Sequence, residues 1–242
     1  MRDAWDWTVV SDDPNHPAAK SYARRRLVEL RQVHTDSDLL SFIEKRVHGK
    51  RVLDIGIVSH SASYFDRPDW RHGRIAAAAA SCLGIDIIEP LLQDLKTRGF
   101  NVRWADATSD TDLGERYDVV FIGDVIEHVD NAVALLRFAA RHLAPGGKIY
   151  ASTPNPFSRK FFRQFRRDGV MVVNLDHLSW ITPTMAMELA RRAGIRLAAY
   201  HLVKRLSRSA RWLKRLTWKL EPVEYSFPDY LYEFTAADAA SG

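Results

Sequence analysis

Short apolar runs, each bounded by polar residues, alternate with amphipathic segments through the middle of the chain. The apolar runs predict buried strands at residues 51–57, 82–88, 100–104, 117–122 and 148–152. The segments between them have helical spacing at residues 72–81, 89–98 and 131–142. This alternation is typical of βαβ units, so we predict an α/β, Rossmann-like, doubly wound fold. Its sheet is mostly parallel, with helices on both faces.

The pattern is less regular towards both ends of the chain. Residues 22–33, and a second segment capped by Asp36 or Ser37 that runs to about residue 48, predict two helices. Further along, Pro183 opens a helix with Thr182 as its N-cap, and Gly194 ends it. Strands at 195–203 and 230–235 flank a basic amphipathic helix at 205–220 and bring the predicted sheet to seven strands.

The composition fits one globular domain over residues 1–242. Hydrophobic residues make up 46% of the chain and charged residues 27%, which is enough apolar material for one core. Cys82 is the only cysteine, so no disulfide can form within the chain. The first residues are polar and acidic, unlike a signal peptide, and no apolar run is long enough for a bilayer. We therefore expect a cytoplasmic protein.

Basic residues are concentrated in two segments, although the net charge is only +5. Seven Lys or Arg lie between residues 204 and 219 with no acid among them, and five lie between 159 and 167. Such clusters suit nucleic acid, anionic lipid or an anionic substrate, or form a solvated helix face. Phe157, Phe161, Phe162 and Phe165 accompany the second cluster at helical spacing. This segment could be a lid, a lipid-facing helix or a dimer surface, and we expect at least half of the phenylalanines to be buried.

Acidic residues and glycine stand where the predicted strands end. Parallel α/β sheets bind ligands at the carboxyl ends of their strands, near the point where strand order reverses. The first strand ends at Asp54 and Gly56, and a glycine there lets the backbone turn sharply beside a ligand. The second ends at Asp86, which suits the ribose hydroxyls of a nucleoside. Asp106 follows the third strand, where a carboxylate could accept a hydrogen bond from an adenine amino group.

This series resembles the class I methyltransferases that use S-adenosylmethionine (SAM). The resemblance covers about residues 50–200, and it includes a Tyr-Asp-Val-Val strand and a Leu-Ala-Pro-Gly-Gly turn. It implies a SAM-binding core at 50–155 after N-terminal helices at 1–49, an acceptor-side insertion at 156–182, and a C-terminal part of the sheet at 183–242. The cofactor-binding residues that it implies are Asp54, Gly56, Asp86, Asp106, Ala107 and Gly123. Ser59 and His60 could add side-chain donors in the loop after the first strand.

The loop after the first strand departs from the family pattern. That pattern has further glycines at alternate positions, whereas residues 56–62 contain Gly56 alone. Backbone amides can still hold a carboxylate, and Ser59 and His60 could add side-chain donors. A long polar stretch follows to residue 74, in which Trp70 or His72 could help to enclose the cofactor or the acceptor.

The candidate reaction centre is Asp124-Val125-Ile126-Glu127-His128, after the fourth strand. Positions i, i+3 and i+4 of a helix share a face, so we expect Asp124, Glu127 and His128 to point together. Two carboxylates and an imidazole suit a hard or borderline divalent ion such as Mg²⁺. The segment resembles the Glu-x-x-Glu-His pattern of ubiquinone-biosynthesis O-methyltransferases, which implies a metal there. A metal-free catalytic role for Glu127 or His128 and a purely structural role are the alternatives.

A second histidine has a comparable context. His177 lies in Asp176-His177-Leu178-Ser179-Trp180-Ile181-Thr182-Pro183. In the same relatives, a histidine before an aromatic residue and a proline lies near the acceptor. The resemblance makes His177 a candidate base or metal ligand, with a capping or packing role as the alternative.

The predicted function is a SAM-dependent O-methyltransferase that acts on a hydroxyl of a small molecule or glycan. We prefer a sugar hydroxyl, with a quinone, phenol or natural-product hydroxyl as the alternative. An RNA methyltransferase would explain the basic segments, but no added RNA-binding module and no Asn/Asp-Pro-Pro-aromatic tetrapeptide is found. A nicotinamide-dependent dehydrogenase would need a G-x-G-x-x-G sequence at Gly56, which is absent. The sequence is also compatible with a peripheral membrane contact and with a homodimer.

Overall fold

The computed structural model describes residues 6–59 and 61–237, with the backbone alone at 215 and 216. Its strands are β1 (Arg31–His34), β2 (Arg51–Ile55), β3 (Ser81–Asp86), β4 (Val102–Trp104), β5 (Tyr117–Gly123), β6 (Leu143–Pro154), β7 (Ile195–Val203) and β8 (Asp229–Ala236). Its helices are α1 (Pro17–Leu30), α2 (Leu39–Val47), α3 (Arg71–Ala78), α4 (Glu89–Thr97), α5 (Ala132–Arg141), α6 (Arg159–Asp168), α7 (Pro183–Ala193) and α8 (Arg208–Thr217). Within the described ranges, no helix is long and apolar enough to cross a membrane.

The strands form one sheet in the order β1-β7-β8-β6-β5-β2-β3-β4. All neighbouring pairs are parallel except those of β8, which is antiparallel to both β6 and β7. The chain order reverses between β2 and β5, and such a reversal leaves a crevice at the carboxyl ends of the strands. The predicted Rossmann-like, doubly wound, mostly parallel fold is confirmed.

The predicted number of seven strands is wrong, because the sheet has an eighth strand at its edge. The first helix begins at Pro17, with His16 as its N-cap, and ends at Leu30 instead of covering residues 22–33. The next four residues form β1, which pairs in parallel with β7. This pairing covers an edge of β7 that would otherwise expose unpaired backbone groups, and local helical spacing cannot show a contact with a strand so far along the chain.

Helices cover both faces of the sheet, as β2 shows. Successive side chains of a strand point to opposite faces. Val52 packs in a cluster with Phe42 of α2 and Ile75 of α3, whereas its neighbour Leu53 packs in another cluster with Phe138 of α5. All five side chains are buried, so β2 lies in the interior with its carboxyl end held in place from both sides.

Glu233 joins β8 to both of its neighbours. Its carboxylate accepts hydrogen bonds from Lys148 of β6 at 2.7 Å and from His201 of β7 at 3.2 Å. Burial alone would raise the pKa of Glu233, but the hydrogen bonds from His201 and Lys148 outweigh burial and hold the pKa at about 2.

We predict that Glu233→Gln removes an acid-dependent part of the protein's stability. The pKa of Glu233 in the folded state lies below its ordinary value, so the carboxylate stabilises the fold at neutral pH. This contribution is lost as the pH falls from about 5 towards 2. Between pH 7 and pH 3, the free energy of unfolding from urea titrations should fall on the order of 1–3 kcal/mol further in the wild type than in Glu233→Gln. Glu115→Gln, at an exposed position, should behave like the wild type. An equal fall in Glu233→Gln and the wild type would contradict the prediction.

Candidate active site

A cavity of about 480 Å³ lies at the carboxyl ends of β2, β3, β4 and β5. It has the size and position expected of a small-molecule site in an open α/β sheet. Seven of the eight predicted cofactor residues are described, and those that line the cavity are Gly56, Ser59, Asp86, Asp106, Ala107 and Gly123. The prediction for His60 lies outside the described residues.

Gly56 occupies a backbone conformation that favours glycine. Its φ is +79°, and a Cβ at this position would overlap the Val125 side chain. The Gly56 N–H donates to the carbonyl of Ile85 at 2.9 Å. The chain therefore turns sharply at the end of β2, and the backbone passes close to the cavity.

Backbone amides fix the Asp86 carboxylate at the end of β3. It accepts hydrogen bonds from Ile87 N at 2.7 Å and Ile88 N at 3.1 Å, just before α4. It also accepts one from Val58 N at 3.1 Å, in the loop after β2. These bonds hold the carboxylate in the wall of the cavity, within which a ribose hydroxyl would lie.

Asp106 and Ala107 form the wall of the cavity after β4. The Asp106 Oδ1 atom accepts hydrogen bonds from Thr108 N at 2.8 Å and Thr108 Oγ1 at 2.7 Å. These bonds fix the carboxylate and do not involve its Oδ2 atom. The role of Asp106 at an adenine amino group stays a prediction.

Asp54 does not line the cavity, so the prediction that it contacts the cofactor is corrected. Its carboxylate is buried and lies 2.8 Å from Nδ1 of His72, which is itself only 1% exposed. The His72 ring packs against Trp70 and Phe100. His72 therefore belongs to the protein interior, whereas Trp70, although mostly buried, lines a further cleft beside Ser59 and Arg71. An enclosing role for Trp70 stays a prediction.

Arg71 is a cavity residue that the sequence analysis missed. It begins α3, and its guanidinium donates to Asp124 Oδ2 at 2.9 Å and to the carbonyl of Gly123 at 3.2 Å. It lines the cavity together with Gly56 and Ser59. The sequence offers little signal for this role, because Arg71 lies between Arg67 and Arg74 in the same polar stretch.

The segment after β5 is a turn, not the expected helix. Asp124 adopts a left-handed backbone with a φ of +51°, and His128 N donates to the carbonyl of Val125 at 2.9 Å. The Asp124 carboxylate is held by Arg71 and by the hydroxyl of Ser152 at 2.7 Å. The prediction that Asp124, Glu127 and His128 share a helix face is therefore wrong, and Asp124 is already paired as an ion.

Glu127, His128 and His177 form a cluster. One nitrogen or oxygen atom of each lies within 4.8 Å of those of the other two. The two imidazole rings meet edge to face at 4.6 Å, and Leu178 N donates to the carbonyl of Glu127 at 2.9 Å. The sequence analysis named all three residues, but only the tertiary structure brings His177 to the turn after β5.

This cluster lines a second cavity, of about 650 Å³. Glu127 is 1% exposed, and neither of its carboxylate oxygens has a hydrogen-bond partner among the described residues. Burial, assisted by the nearby charge of Asp124, raises the pKa of Glu127 to about 8. Nδ1 of His177 is also buried and has no hydrogen-bond partner among the described residues. Unpaired buried polar groups of this kind are costly and are typical of functional sites.

His128 lies where the two cavities meet, because it lines both of them. Its Nδ1 atom is 3.3 Å from Oδ2 of Asp176. The Asp176 carboxylate therefore faces the His128 ring and can help to orient it.

The basic aromatic segment forms α6 beside the second cavity. The expectation that at least half of its phenylalanines are buried is wrong. Phe157, Phe162 and Phe165 are about half exposed, and Phe161, which is partly buried, packs against Trp180 at 5.1 Å. The reason is that α6 contributes to the wall of a cavity and does not pack flat on the sheet.

Comparison with known proteins identifies the class. A family model described as "Methyltransferase domain" matches residues 22–200, which is most of the chain. The protein belongs to this methyltransferase family.

Individual relatives give a more detailed comparison. A ubiquinone biosynthesis O-methyltransferase of Pseudomonas fluorescens is 30% identical over 138 residues, which are 52% of this chain and 55% of the relative. One of Proteus mirabilis is 31% identical over 150 residues, 55% of this chain and 56% of the relative. The chain thus spans just over half the length of these relatives.

Solved structures agree on the fold. A SAM-dependent methyltransferase from Archaeoglobus fulgidus has a TM-score of 0.52 and 20% identity, with 81% of this chain and 93% of that chain covered. The CcbJ methyltransferase from Streptomyces caelestis has a TM-score of 0.54 and 16% identity, with 82% and 93% covered. The prediction of a class I methyltransferase that uses SAM is confirmed.

We predict that Asp86→Asn weakens SAM binding about 10- to 100-fold, since an amide loses the charge that strengthens hydrogen bonds to the cofactor. Isothermal titration with SAM and with its demethylated product measures the Kd. Asp118→Asn is the matched control, because Asp118 pairs with Arg51 near the amino-terminal ends of β5 and β2, away from the cavity. An unchanged Kd for a folded Asp86→Asn variant would contradict the assignment of Asp86 to the cofactor site.

Proposed function

We propose that this protein is a SAM-dependent O-methyltransferase whose acceptor is a small molecule with a hydroxyl group. The observation that carries this proposal is the position of His128, which lines both cavities. The first cavity suits a nucleoside cofactor, and the second is large enough for a small acceptor. A base at their junction can reach a hydroxyl that meets the methyl group there.

The first cavity fits SAM at three points. Asp86 would bind the ribose, Asp106 with Ala107 would meet the adenine, and the turn at Gly56 would bring backbone amides to the methionine end. Bound SAM supplies the electrophilic methyl group. The loop lacks the family's further glycines, and we propose that Arg71 offsets this loss by binding the methionine carboxylate, since a guanidinium pairs strongly with a carboxylate.

His128 is the proposed general base. A hydroxyl must lose its proton as it is methylated, and a positioned base typically contributes about 10²- to 10⁴-fold to the rate. Asp176 faces Nδ1 of this ring, so Nε2 would be the atom that accepts the proton of the acceptor. The walls of the second cavity hold the acceptor in place, and such orientation can contribute roughly 7–11 kcal/mol.

A divalent ion at Glu127, His128 and His177 is the second candidate for activation of the hydroxyl. The unpaired Glu127 oxygens and the unpaired His177 Nδ1 favour it. Two imidazoles and one carboxylate suit Zn²⁺ or Fe²⁺ better than the Mg²⁺ expected from the sequence, since Mg²⁺ prefers oxygen ligands. Asp124, the other ligand expected from the sequence, is held by Arg71 and Ser152.

The names of the relatives support oxygen as the methylated atom. They favour a quinone-type or phenol-type hydroxyl over the sugar hydroxyl preferred from the sequence. The acceptor is a proposal, because the chain spans only part of these relatives.

We predict that His128→Ala lowers methyl transfer by about 10²- to 10⁴-fold while the Kd for SAM stays unchanged. The measurement is transfer of labelled methyl to a panel of phenols and sugars, with His48→Ala, an exposed histidine on another surface, as the control. Activity should survive a chelator if His128 acts alone. Loss of activity in the chelator, restored by Zn²⁺, Fe²⁺ or Mn²⁺, would show that a metal ion activates the hydroxyl and that His128 does not act alone as the base.

We predict that Arg71→Gln weakens SAM binding about tenfold or more but leaves the binding of methylthioadenosine unchanged, because that compound lacks the carboxylate. Titration calorimetry with both compounds measures the difference. Arg74→Gln is the matched control, since Arg74 lies in the same helix and pairs with Glu44. Equal losses for the two compounds would show that Arg71 supports the shape of the cavity instead.

A further inference from the structure

The second cavity is lined by positively charged side chains as well as by the cluster of Glu127, His128 and His177. Lys160, Arg163 and Arg167 line it from α6, at positions i, i+3 and i+7. Side chains at this spacing share one face of a helix. The charge therefore belongs to one face of α6, and this face borders the cavity in which the acceptor hydroxyl would lie.

Two of these three cations have no ion pair within the described residues. Arg167 pairs with its neighbour Asp168 at 2.7 Å, whereas Lys160 and Arg163 form no such contact there. The Lys160 ammonium lies 5.4 Å from the Phe161 ring centre. Burial raises the pKa of the nearby Asp229 carboxyl to about 7, although the charge of Lys160 opposes this shift, and Asp229 forms no ion pair with Lys160. Positive charge that the protein itself does not balance remains at the cavity wall.

The cations of α6 are not spread evenly around the helix. Arg159 pairs with Glu221, and Arg166 lines a neighbouring cleft beside Tyr225 but not the second cavity. Lys160 lines the second cavity but not that cleft, and Arg163 borders both. Lys160 and Arg163 are therefore the cations of α6 that are both free of an ion pair and at the acceptor side.

We propose that the acceptor carries an anionic group, a carboxylate or a phosphate, which Lys160 and Arg163 bind while its hydroxyl lies at His128. This inference rests on the proposed function and names the acceptor class. A guanidinium offers a planar pair of donors to either group, and an ammonium adds a point charge. A cavity wall screens such contacts less than open solvent does. Anchoring one end of the acceptor also limits the positions that its hydroxyl can take.

Anion binding can be tested without knowing the acceptor. The protein is saturated with the demethylated product of SAM in EDTA, and inorganic pyrophosphate or benzoate is added at constant ionic strength. We expect either probe to raise the melting temperature of the wild type and of Arg166→Gln, but not of Lys160→Gln/Arg163→Gln. An equal rise in the double variant, or no rise in the wild type, would overturn the proposal. Unchanged affinity of the double variant for the demethylated product shows that the first cavity is intact.

Matched acceptors test the same inference by activity. Catechol is compared with 3,4-dihydroxybenzoate, and glucose with glucose 6-phosphate, which separates carboxylate from phosphate. We expect kcat/KM at least about tenfold higher for the anionic member of one pair, mainly through KM, and loss of this preference in the double variant. Preference for the neutral members, or for an RNA oligonucleotide, would overturn the inference and leave the methyltransferase proposal standing. Failure to bind SAM at all would overturn the proposed function itself.

Discussion

The site depends on the buried contact between Asp54 and His72. It ties the end of β2, where strand order reverses, to the first turn of α3. The contact needs space that only a glycine leaves on β3, because a Cβ at Gly84 would lie 2.6 Å from the His72 ring. Since His72 is fixed, its neighbour Arg71 is delivered to the cavity. Asp54, which the family resemblance assigned to the cofactor, thus helps to position the Arg71 guanidinium at the cavity.

Because the contact between Asp54 and His72 positions Arg71, it also affects the shape of the reaction centre. Arg71 holds Asp124 in a left-handed conformation, which costs on the order of 1 kcal/mol or more for a residue other than glycine but is better tolerated by aspartate. The turn that follows directs Glu127 inward, away from water, and leaves His128 between the two cavities. One ion pair therefore connects the cofactor side of the site to the acceptor side.

How far the sequence could predict this arrangement depends on the range of each contact. The limits of β7 follow from the local pattern alone, and so does the position of Asp86, because the end of a parallel strand is fixed by topology. The pairing of Asp54 with His72 and the edge strand β1 depend on contacts between distant segments, which hydrophobic periodicity does not contain. The turn at Asp124 was missed for a related reason, since Arg71, which stabilises it, lies 53 positions earlier.

The distribution of charge around His128 bears on which acceptors can approach. Asp124 is balanced by Arg71, and burial raises the pKa of Glu127. Asp176 lies on the more exposed side and faces the His128 ring. Lys160 and Arg163 add positive charge to the wall of the second cavity. An anionic acceptor would be drawn towards these side chains more strongly than a neutral one.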